Sequence, residues 1–412
     1  MTNRLQLKPN FISIIIFTLC LLMGRFLSYS FLGFPGLYYN LGIIFAWVLL
    51  IFYMSETKKM FFSIDIFLLL IFILISLISL LNEQLSEYST QKIYEISFYI
   101  LPLLLLSKYI FKTKKDFKYF FITSYYIALI FCVIAVILSL LNGSLLSGRL
   151  SAFGGGPITF SRILMLGLLS GIILYIDSYR KKSMSLWKFV YLLSLIFLAI
   201  SIGLTGSRQS FLAMFLCLLL LGFFVYYLSS FKGKVKGFIS FIMISMISIL
   251  SIFIFFDDII KNSTIYSRTK LIFQEDKGES INIRLEMLKT SFIHFKEKWY
   301  MGTGLGTFEN YNNAGFLYPH NVLAEIAMEV GLLGVVCLCI LICIPFFIVV
   351  STLVFKKQND IYIYGLFTIY IYFLITSMIS GDFFDNRWIW ITVSLVLIYR
   401  TRIIKKVNLY EG

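Results

Sequence analysis

One histidine lies in a setting where it could take part in chemistry. His320 follows Pro319 and precedes Asn321 in the stretch GFLYPHNVLAEIAMEVGLLG. An imidazole titrates near neutral pH, so it can act as a general base, although a histidine that only caps or packs is the alternative. Asn321, Glu325 and Glu329 recur every four residues and predict one polar stripe on an otherwise apolar helix. This stripe must face protein or water rather than lipid.

Five arginines outside the main basic loops could bind an anion. A guanidinium is permanently charged, and its planar fork of N–H donors matches the oxygens of a phosphate or diphosphate. The alternative is that each arginine anchors a helix end or pairs with a carboxylate, as Arg387 could with Asp382 or Asp385. The five residues are Arg149, Arg162, Arg208, Arg284 and Arg387.

Two glycine-rich segments could bring the backbone close to a ligand. The segment GGGPITFSR, which begins at Gly154, leads into a helix whose first N–H groups have no partner within the helix. The segment MGTGLGTFENY, which begins at Met301, has glycine at every second position. Neither spacing is specific for a nucleotide, and a flexible loop that leads into a helix is the alternative for the first segment.

The elements that must position these residues are membrane helices. Hydrophobic residues make up 59% of the 412-residue chain and charged residues only 14%, which leaves too little polar surface for a soluble globule. The apolar runs are continuous and reach the roughly 20 residues that a helix needs to cross a bilayer, so helices are favoured over a barrel. We predict an all-α polytopic membrane protein with about twelve spans. The spans are 11–32, 36–54, 61–81, 93–111, 118–141, 158–177, 188–205, 209–229, 236–256, 332–355, 361–380 and 388–404.

The basic residues indicate the orientation of the chain. Lysines and arginines collect in alternate short loops and at both termini, and the positive-inside rule places these segments in the cytoplasm. This topology accounts for most of the net charge of +15, so the charge gives no reason to propose nucleic acid as a partner. We predict a single transmembrane domain over 1–412, with one long external loop, 257–331, that carries the catalytic motifs.

No metal or nucleotide motif accompanies these residues. The six cysteines lie within apolar spans and lack the paired C-x-x-C and histidine spacing of a metal site, so we interpret them as packing residues. The sequence also lacks a phosphate-binding loop, a G-x-G-x-x-G after a strand and a G-x-S-x-G nucleophile elbow. We expect no metal and no cofactor.

Taken together, the motifs resemble those of the O-antigen ligase and O-antigen polymerase superfamily. Around the histidine the motifs run in this order: Arg284, Gly302-x-Gly304-x-Gly306, Pro319-His320-Asn321, Glu325, Glu329 and Gly331-Leu-Leu-Gly334. The stretches GRLSAFGGGP around Arg149, GSRQSF around Arg208 and GDFFDNRWIW near the end also lie where the patterns of that family lie. The resemblance covers the whole topology.

The resemblance implies a metal-independent glycosyltransferase of the bacterial cytoplasmic (inner) membrane. Its fold would be that of the metal-independent membrane glycosyltransferases, with both termini in the cytoplasm and the active site on the external or periplasmic face. Donor and acceptor would be glycans linked to undecaprenyl diphosphate, without a nucleotide sugar. Further partners would be the lipid bilayer and a chain-length regulator and flippase of the same pathway.

The resemblance also implies roles for single residues. Arg208 and Arg284 would hold the donor diphosphate and stabilise the charge that develops on the leaving group. His320 would accept the proton of the acceptor hydroxyl, which would attack the anomeric carbon with inversion, and Glu325 would orient the imidazole. The remaining substrate-binding residues would be Arg149, Arg162, Asn321 and Arg387.

We favour a polymerase of O-antigen or capsule, which moves the growing glycan to a sugar hydroxyl of a new lipid-linked repeat unit. The alternative within the superfamily is a ligase, which moves the finished polymer to the lipid A core of lipopolysaccharide. An alternative from another class is a transporter or flippase of lipid-linked sugars. Transporters place polar residues in broken helices near the midplane and show internal repeats, whereas the ionisable residues here collect at one face.

Overall fold

The computed structural model describes residues 7–23, 37–82, 86–143, 149–152, 156–179, 186–228, 279–312, 315–356 and 360–404, and this part of the chain is helical without a strand. Twelve helices occur in these ranges. They are α1 (Leu7–Met23), α2 (Leu37–Thr57), α3 (Ile64–Ser79), α4 (Glu87–Ile110), α5 (Lys114–Leu141), α6 (Pro157–Tyr179), α7 (Leu186–Leu204), α8 (Arg208–Leu228), α9 (Glu279–Glu297), α10 (Val322–Lys356), α11 (Ile361–Ser377) and α12 (Trp388–Tyr399).

The apolar helices confirm an all-α polytopic membrane protein. Of the described helices, α2, α4, α5, α6, α8 and α10 are long and apolar enough to cross a bilayer, and α1, α3, α7 and α11 are shorter apolar helices. Together with α12 they coincide with all the predicted spans but one. That span, 236–256, lies outside the described residues, as do residues 153–155 of the glycine-rich turn and 257–278 of the predicted loop.

The helices pack closely where a glycine faces a neighbouring helix. Helix α5 lies along α6, while α11 lies against α6, α8 and α12. A Cβ atom placed on Gly167 of α6 would lie 2.2 Å from the Cβ of Ala128 on α5, and one on Gly365 of α11 would lie 2.4 Å from Ile173 on α6. These glycines therefore permit helix contacts that a side chain would separate, which is a common means of packing in membranes.

The two ends of the bundle differ in chemistry. At one end, lysines pair with carboxylates of other helices: Lys114 with Asp360 at 2.9 Å and Lys118 with Asp177 at 3.1 Å. These lysines belong to the segments predicted to be cytoplasmic. The opposite end, which we call the site end, consists of the first turns of α6, α8 and α10 and the last turn of α11. The predicted site residues lie at this end.

Candidate functional site

His320 lies at the site end, directly before α10, in an unusual backbone conformation. Its φ of 58° is in the left-handed region, which costs a non-glycine residue about 1–2 kcal/mol. The imidazole contacts the rings of Tyr318 and Phe316, whose centroids are 4.7 and 6.0 Å away. Its Nδ1 atom is buried and has no hydrogen-bond partner in the described chain. The imidazole is thus held by backbone and ring contacts while one nitrogen remains unpaired.

Burial and a neighbouring charge keep the imidazole neutral. Loss of hydration, followed by the positive charge of Arg284, lowers the pKa of His320 from 6.5 to about 4, and Asp382 opposes this shift. Burial also lowers the pKa of Arg284, with a further contribution from the positive charge of Arg208. Arg208, Arg284 and His320 therefore interact electrostatically, and we call them the reactive cluster. At neutral pH its imidazole is uncharged, and one of the two ring nitrogens can accept a proton.

Arg208 is the first residue of α8 and is joined at this end by Arg149. The Nη1 atom of Arg208 is buried and has no partner among the described residues. The Nε of Arg149 donates to the carbonyl of Thr205 at 3.0 Å, and the N–H of Leu150 donates to the carbonyl of Leu204 at 3.0 Å. Residues 149–152 are therefore fixed against the turn that precedes α8, which brings two of the predicted arginines to one place.

Arg162 and Arg387, which we predicted to bind substrate, are instead held by the protein. Arg162 is only 3% exposed, and its terminal nitrogens donate to three backbone carbonyls between residues 376 and 385 at 2.8 to 3.3 Å. Its Nε is the exception and has no partner in the described ranges. Arg387 donates to the carbonyl of Leu21 on α1 and lies 4.8 Å from the ring centre of Phe384. Both arginines satisfy carbonyls at helix ends, which is a structural role.

Asn321 also differs from its predicted role in substrate binding. Its Oδ1 accepts a hydrogen bond from the N–H of Ala324 at 2.9 Å, which is the bonding of a helix N-cap. Its Nδ2 donates to the carbonyl of Met378 at 2.8 Å, just beyond α11. Both ends of the amide are therefore occupied, and Asn321 fixes His320 relative to α11.

Glu325 and Glu329 face the protein interior, as the polar stripe predicted, but they do not bind the imidazole. Both are 0% exposed, and both bind the ammonium group of Lys92 on α4. The Nζ atom lies 2.6 Å from Oε1 of Glu325 and 2.8 Å from Oε2 of Glu329. The expected contact between Glu325 and His320 is wrong: Oε1 accepts a second hydrogen bond from the N–H of Phe383 at 3.2 Å, and Oε2 has no partner among the described residues. We call Lys92, Glu325 and Glu329 the buried ion cluster.

The glycine-rich loop at 302–306 binds the protein itself. Helix α10 is interrupted at Gly331, where φ is 76° and ψ is −166°. The N–H groups of Thr303 and Gly304 donate to two carbonyls of the turn before this break, at 2.8 and 2.9 Å. A Cβ atom on Gly302 would lie 2.4 Å from the carbonyl carbon of Glu329. Glycine thus lets the loop lie against the broken helix and replace its lost hydrogen bonds.

Lys92 and Gln209 were not among the residues predicted from the sequence. Lys92 lies at the edge of a predicted span on the side that carries few lysines, and this departure from the positive-inside rule was the signal available. Gln209 is 8% exposed, and neither atom of its amide has a partner in the described part of the chain. A glutamine at the start of a helix gives no comparable signal in the sequence.

The cysteines and carboxylates do not assemble a metal site in the described ranges. No group of three or more His, Cys, Asp or Glu side chains there could hold a metal ion. All the cysteines are free thiols: Cys20, Cys132, Cys217 and Cys337 are buried, while Cys339 and Cys343 are exposed. The packing interpretation therefore holds for the four buried cysteines.

The comparison with known families bears directly on the reactive cluster. Residues 193–339 match the family described as O-Antigen ligase. This segment is therefore similar to an O-antigen ligase domain. This domain extends from α7 into α10 and so includes the whole reactive cluster, whereas Lys92 and Arg149 precede it. The resemblance to the ligase and polymerase superfamily is therefore confirmed. A comparison with curated proteins gives no match.

Proposed function

We propose that this membrane protein is a glycosyltransferase that polymerises lipid-linked glycan repeat units. The observation that supports it best is the reactive cluster within the O-antigen ligase domain, where buried nitrogens of Arg208 and His320 have no partner in the described chain. Two guanidinium groups match the charged oxygens of a diphosphate. An unprotonated imidazole matches the proton of a sugar hydroxyl.

In the proposed reaction, a sugar hydroxyl of the acceptor attacks the anomeric carbon of the donor glycan. The new C–O bond forms while the bond from that carbon to the diphosphate oxygen breaks, and its electron pair leaves with undecaprenyl diphosphate. His320 takes the hydroxyl proton, while Arg208 and Arg284 stabilise the charge on the leaving diphosphate. Because one base acts without a covalent nucleophile, the product is inverted. The arginines supply the positive charge, so the reaction is proposed to need no metal.

The low pKa of His320 fits this reaction if the donor binds first. In the free protein the imidazole is a weak base because burial and Arg284 disfavour its charged form. A diphosphate bound to the arginines brings negative charge beside the imidazole and raises its basicity. The base would therefore strengthen when the donor is in place.

We place the reaction at the outer face of the bacterial cytoplasmic membrane. The lysines at the opposite end of the bundle support this placement through the positive-inside rule, which also puts both termini in the cytoplasm. The donor and acceptor would then reach the site end from the outer leaflet. In this proposal 1–412 is a single transmembrane domain, and the loop 257–331 carries the catalytic motifs.

A ligase that transfers finished polymer to the lipid A core is the second candidate, because the matching family is described as O-Antigen ligase. Deletion of the gene, followed by gel analysis of surface glycan and of lipid-linked glycan, separates the two. A polymerase predicts surface glycan reduced to a single repeat unit. Accumulation of lipid-linked polymer beside an undecorated core would support the ligase and contradict our choice.

The broken helix α10 supports a transporter of lipid-linked sugars less well than it supports an enzyme. Transporters use the backbone groups at such breaks to bind their cargo. Here the carbonyls before Gly331 already accept hydrogen bonds from the glycine-rich loop. Purified protein in detergent, supplied with labelled lipid-linked repeat units, should form longer products if it is an enzyme. Uptake into vesicles without any longer product would support transport.

A further inference from the structure

Gln209, the second residue of α8, carries a buried amide that has no hydrogen bond to the described residues. Its side chain is 8% exposed, and neither Oε1 nor Nε2 has a partner in the described chain. Proteins pair nearly all buried polar groups, because an unpaired buried amide loses its hydration without gaining a bond. The glutamine is therefore placed where a ligand could supply the bonds that the protein does not.

The neighbouring hydroxyl groups bind one another rather than the amide. The hydroxyl of Ser207 donates to Oγ of Ser210 at 3.0 Å, and Ser210 shares a hydrogen bond of 2.6 Å with Ser161. These bonds tie the first turn of α8 to the first turn of α6. Nη1 of the adjacent Arg208 is also buried and has no partner in the described ranges. Two consecutive side chains thus offer a cation and a neutral amide at the site end.

We propose that Gln209 binds a neutral substituent on the donor sugar, next to the diphosphate, and thereby determines donor specificity. This inference rests on the proposed transferase function. A carboxamide has two donor hydrogens and one acceptor oxygen, so it pairs with a hydroxyl or acetamido group, each of which both donates and accepts. Arg208, one residue earlier, takes the charged oxygens of the diphosphate. Both side chains belong to the first turn of α8, so one donor could contact both.

The first test replaces the amide by an apolar side chain of similar length. Gln209→Met should lower kcat/KM for the natural donor by roughly 10- to 100-fold, the usual effect of losing bonds to a buried polar group. Its melting temperature should equal or exceed that of the wild type, because the unpaired amide has been removed. A melting temperature that falls together with the activity would show a structural role and overturn the inference.

Gln91→Met is the matched control, since Nε2 of Gln91 already donates to Oε1 of Glu95 at 2.8 Å. This variant should retain full activity. A loss of activity equal to that of Gln209→Met would contradict a specific role for Gln209.

The second test uses a donor that lacks the hydroxyl or acetamido group beside the anomeric carbon. The wild type should discriminate against this deoxy donor by roughly 10- to 100-fold, and Gln209→Met should accept both donors about equally. Equal discrimination by both proteins would overturn the inference. Binding of undecaprenyl diphosphate without sugar should be unchanged in Gln209→Met and weakened in Arg208→Ala. If the wild type extends no donor, the transferase proposal itself fails; if it extends both donors equally, only the role of Gln209 fails.

Discussion

The buried ion cluster and the reactive cluster both have members near the start of α10, but they use polar groups in opposite ways. In the first, the charged atoms meet at 2.6 and 2.8 Å and join α4 to α10, although the second oxygen of each glutamate is unpaired. In the second, Nη1 of Arg208 and Nδ1 of His320 are buried without a partner in the described residues. The charges of the buried ion cluster thus bind mainly one another, whereas in our proposal the free nitrogens of the reactive cluster bind the substrate.

Removing the ammonium group from the buried ion cluster should have the largest effect. Lys92→Met leaves two carboxylates buried without their counter-charge, which we expect to cost about 3–5 kcal/mol of folding free energy. The loss of stability is measured by thermal unfolding of the purified protein, with size-exclusion chromatography to detect the unfolded fraction. Adding Glu325→Gln and Glu329→Gln should recover much of it, because no unpaired charge then remains.

Lys114→Met is the control for this change. The ammonium group of Lys114 pairs with Asp360, and the Lys114 side chain is 50% exposed. Its loss should therefore cost less than about 1 kcal/mol of folding free energy. Equal melting temperatures for Lys92→Met and the wild type would show that the buried ion cluster does not hold the helices.

The next comparison separates a reactive arginine from a structural one. Arg208→Ala should lower kcat/KM by about 100- to 1,000-fold, as expected when a donor to developing charge is lost, with little change in melting temperature. Arg162→Ala should instead lower the melting temperature, because three carbonyls lose their donor. Activity assays and thermal unfolding on the same samples measure both. The opposite pattern would reverse the two assignments.

The break in α10 predicts a smaller loss of stability. Gly331→Ala places a Cβ atom 2.5 Å from the carbonyl oxygen of Tyr300 at a φ of 76°, so we expect a cost of about 1–3 kcal/mol. Gly222→Ala on α8 is the control, since its Cβ meets nothing within 4 Å and alanine favours a helix by up to about 1 kcal/mol. If the two variants melt at the same temperature, the break does not require glycine.

The smallest predicted effect is a shift in the titration of His320. The chain has two histidines, so a His294→Asn background leaves His320 as the only imidazole that reacts with diethyl pyrocarbonate. Only a neutral imidazole reacts with this reagent, and a lowered pKa keeps His320 neutral as the pH falls. The rate of its modification should therefore be half-maximal near pH 4 instead of pH 6.5. Arg284→Gln should move this midpoint upward by removing a positive neighbour. An unchanged midpoint would show that the two side chains do not interact.

The bundle could be predicted from the sequence because bilayer crossing requires continuous apolar runs, such as those that became α5 and α11. The members of the reactive cluster could also be selected from the sequence, since Arg208 and Arg284 lie outside the basic loops and His320 is one of only two histidines. Their unpaired nitrogens were not predictable, because pairing depends on which groups face them in space.

The partners of the other candidates depend on contacts between distant parts of the chain. Lys92 and Glu325 are 233 residues apart, so nothing local in the sequence connects them. The carbonyls that hold Arg162 become available only where α11 ends, and the sequence does not show that this end lies beside α6. The spacing of the glycines at 302–306 fits a ligand-binding loop and a packing loop equally well. Only their contact with the break in α10 shows that they pack against the protein.

The most direct measurement of the central claim compares glycan extension by wild-type, His320→Ala and Arg284→Ala proteins, purified in detergent and given labelled lipid-linked repeat units. We predict long products from the wild type and at least about 100-fold slower extension by either variant, with melting temperatures close to the wild type. Full-length products from either variant at the wild-type rate would contradict the assignment of the reactive cluster as the catalytic site.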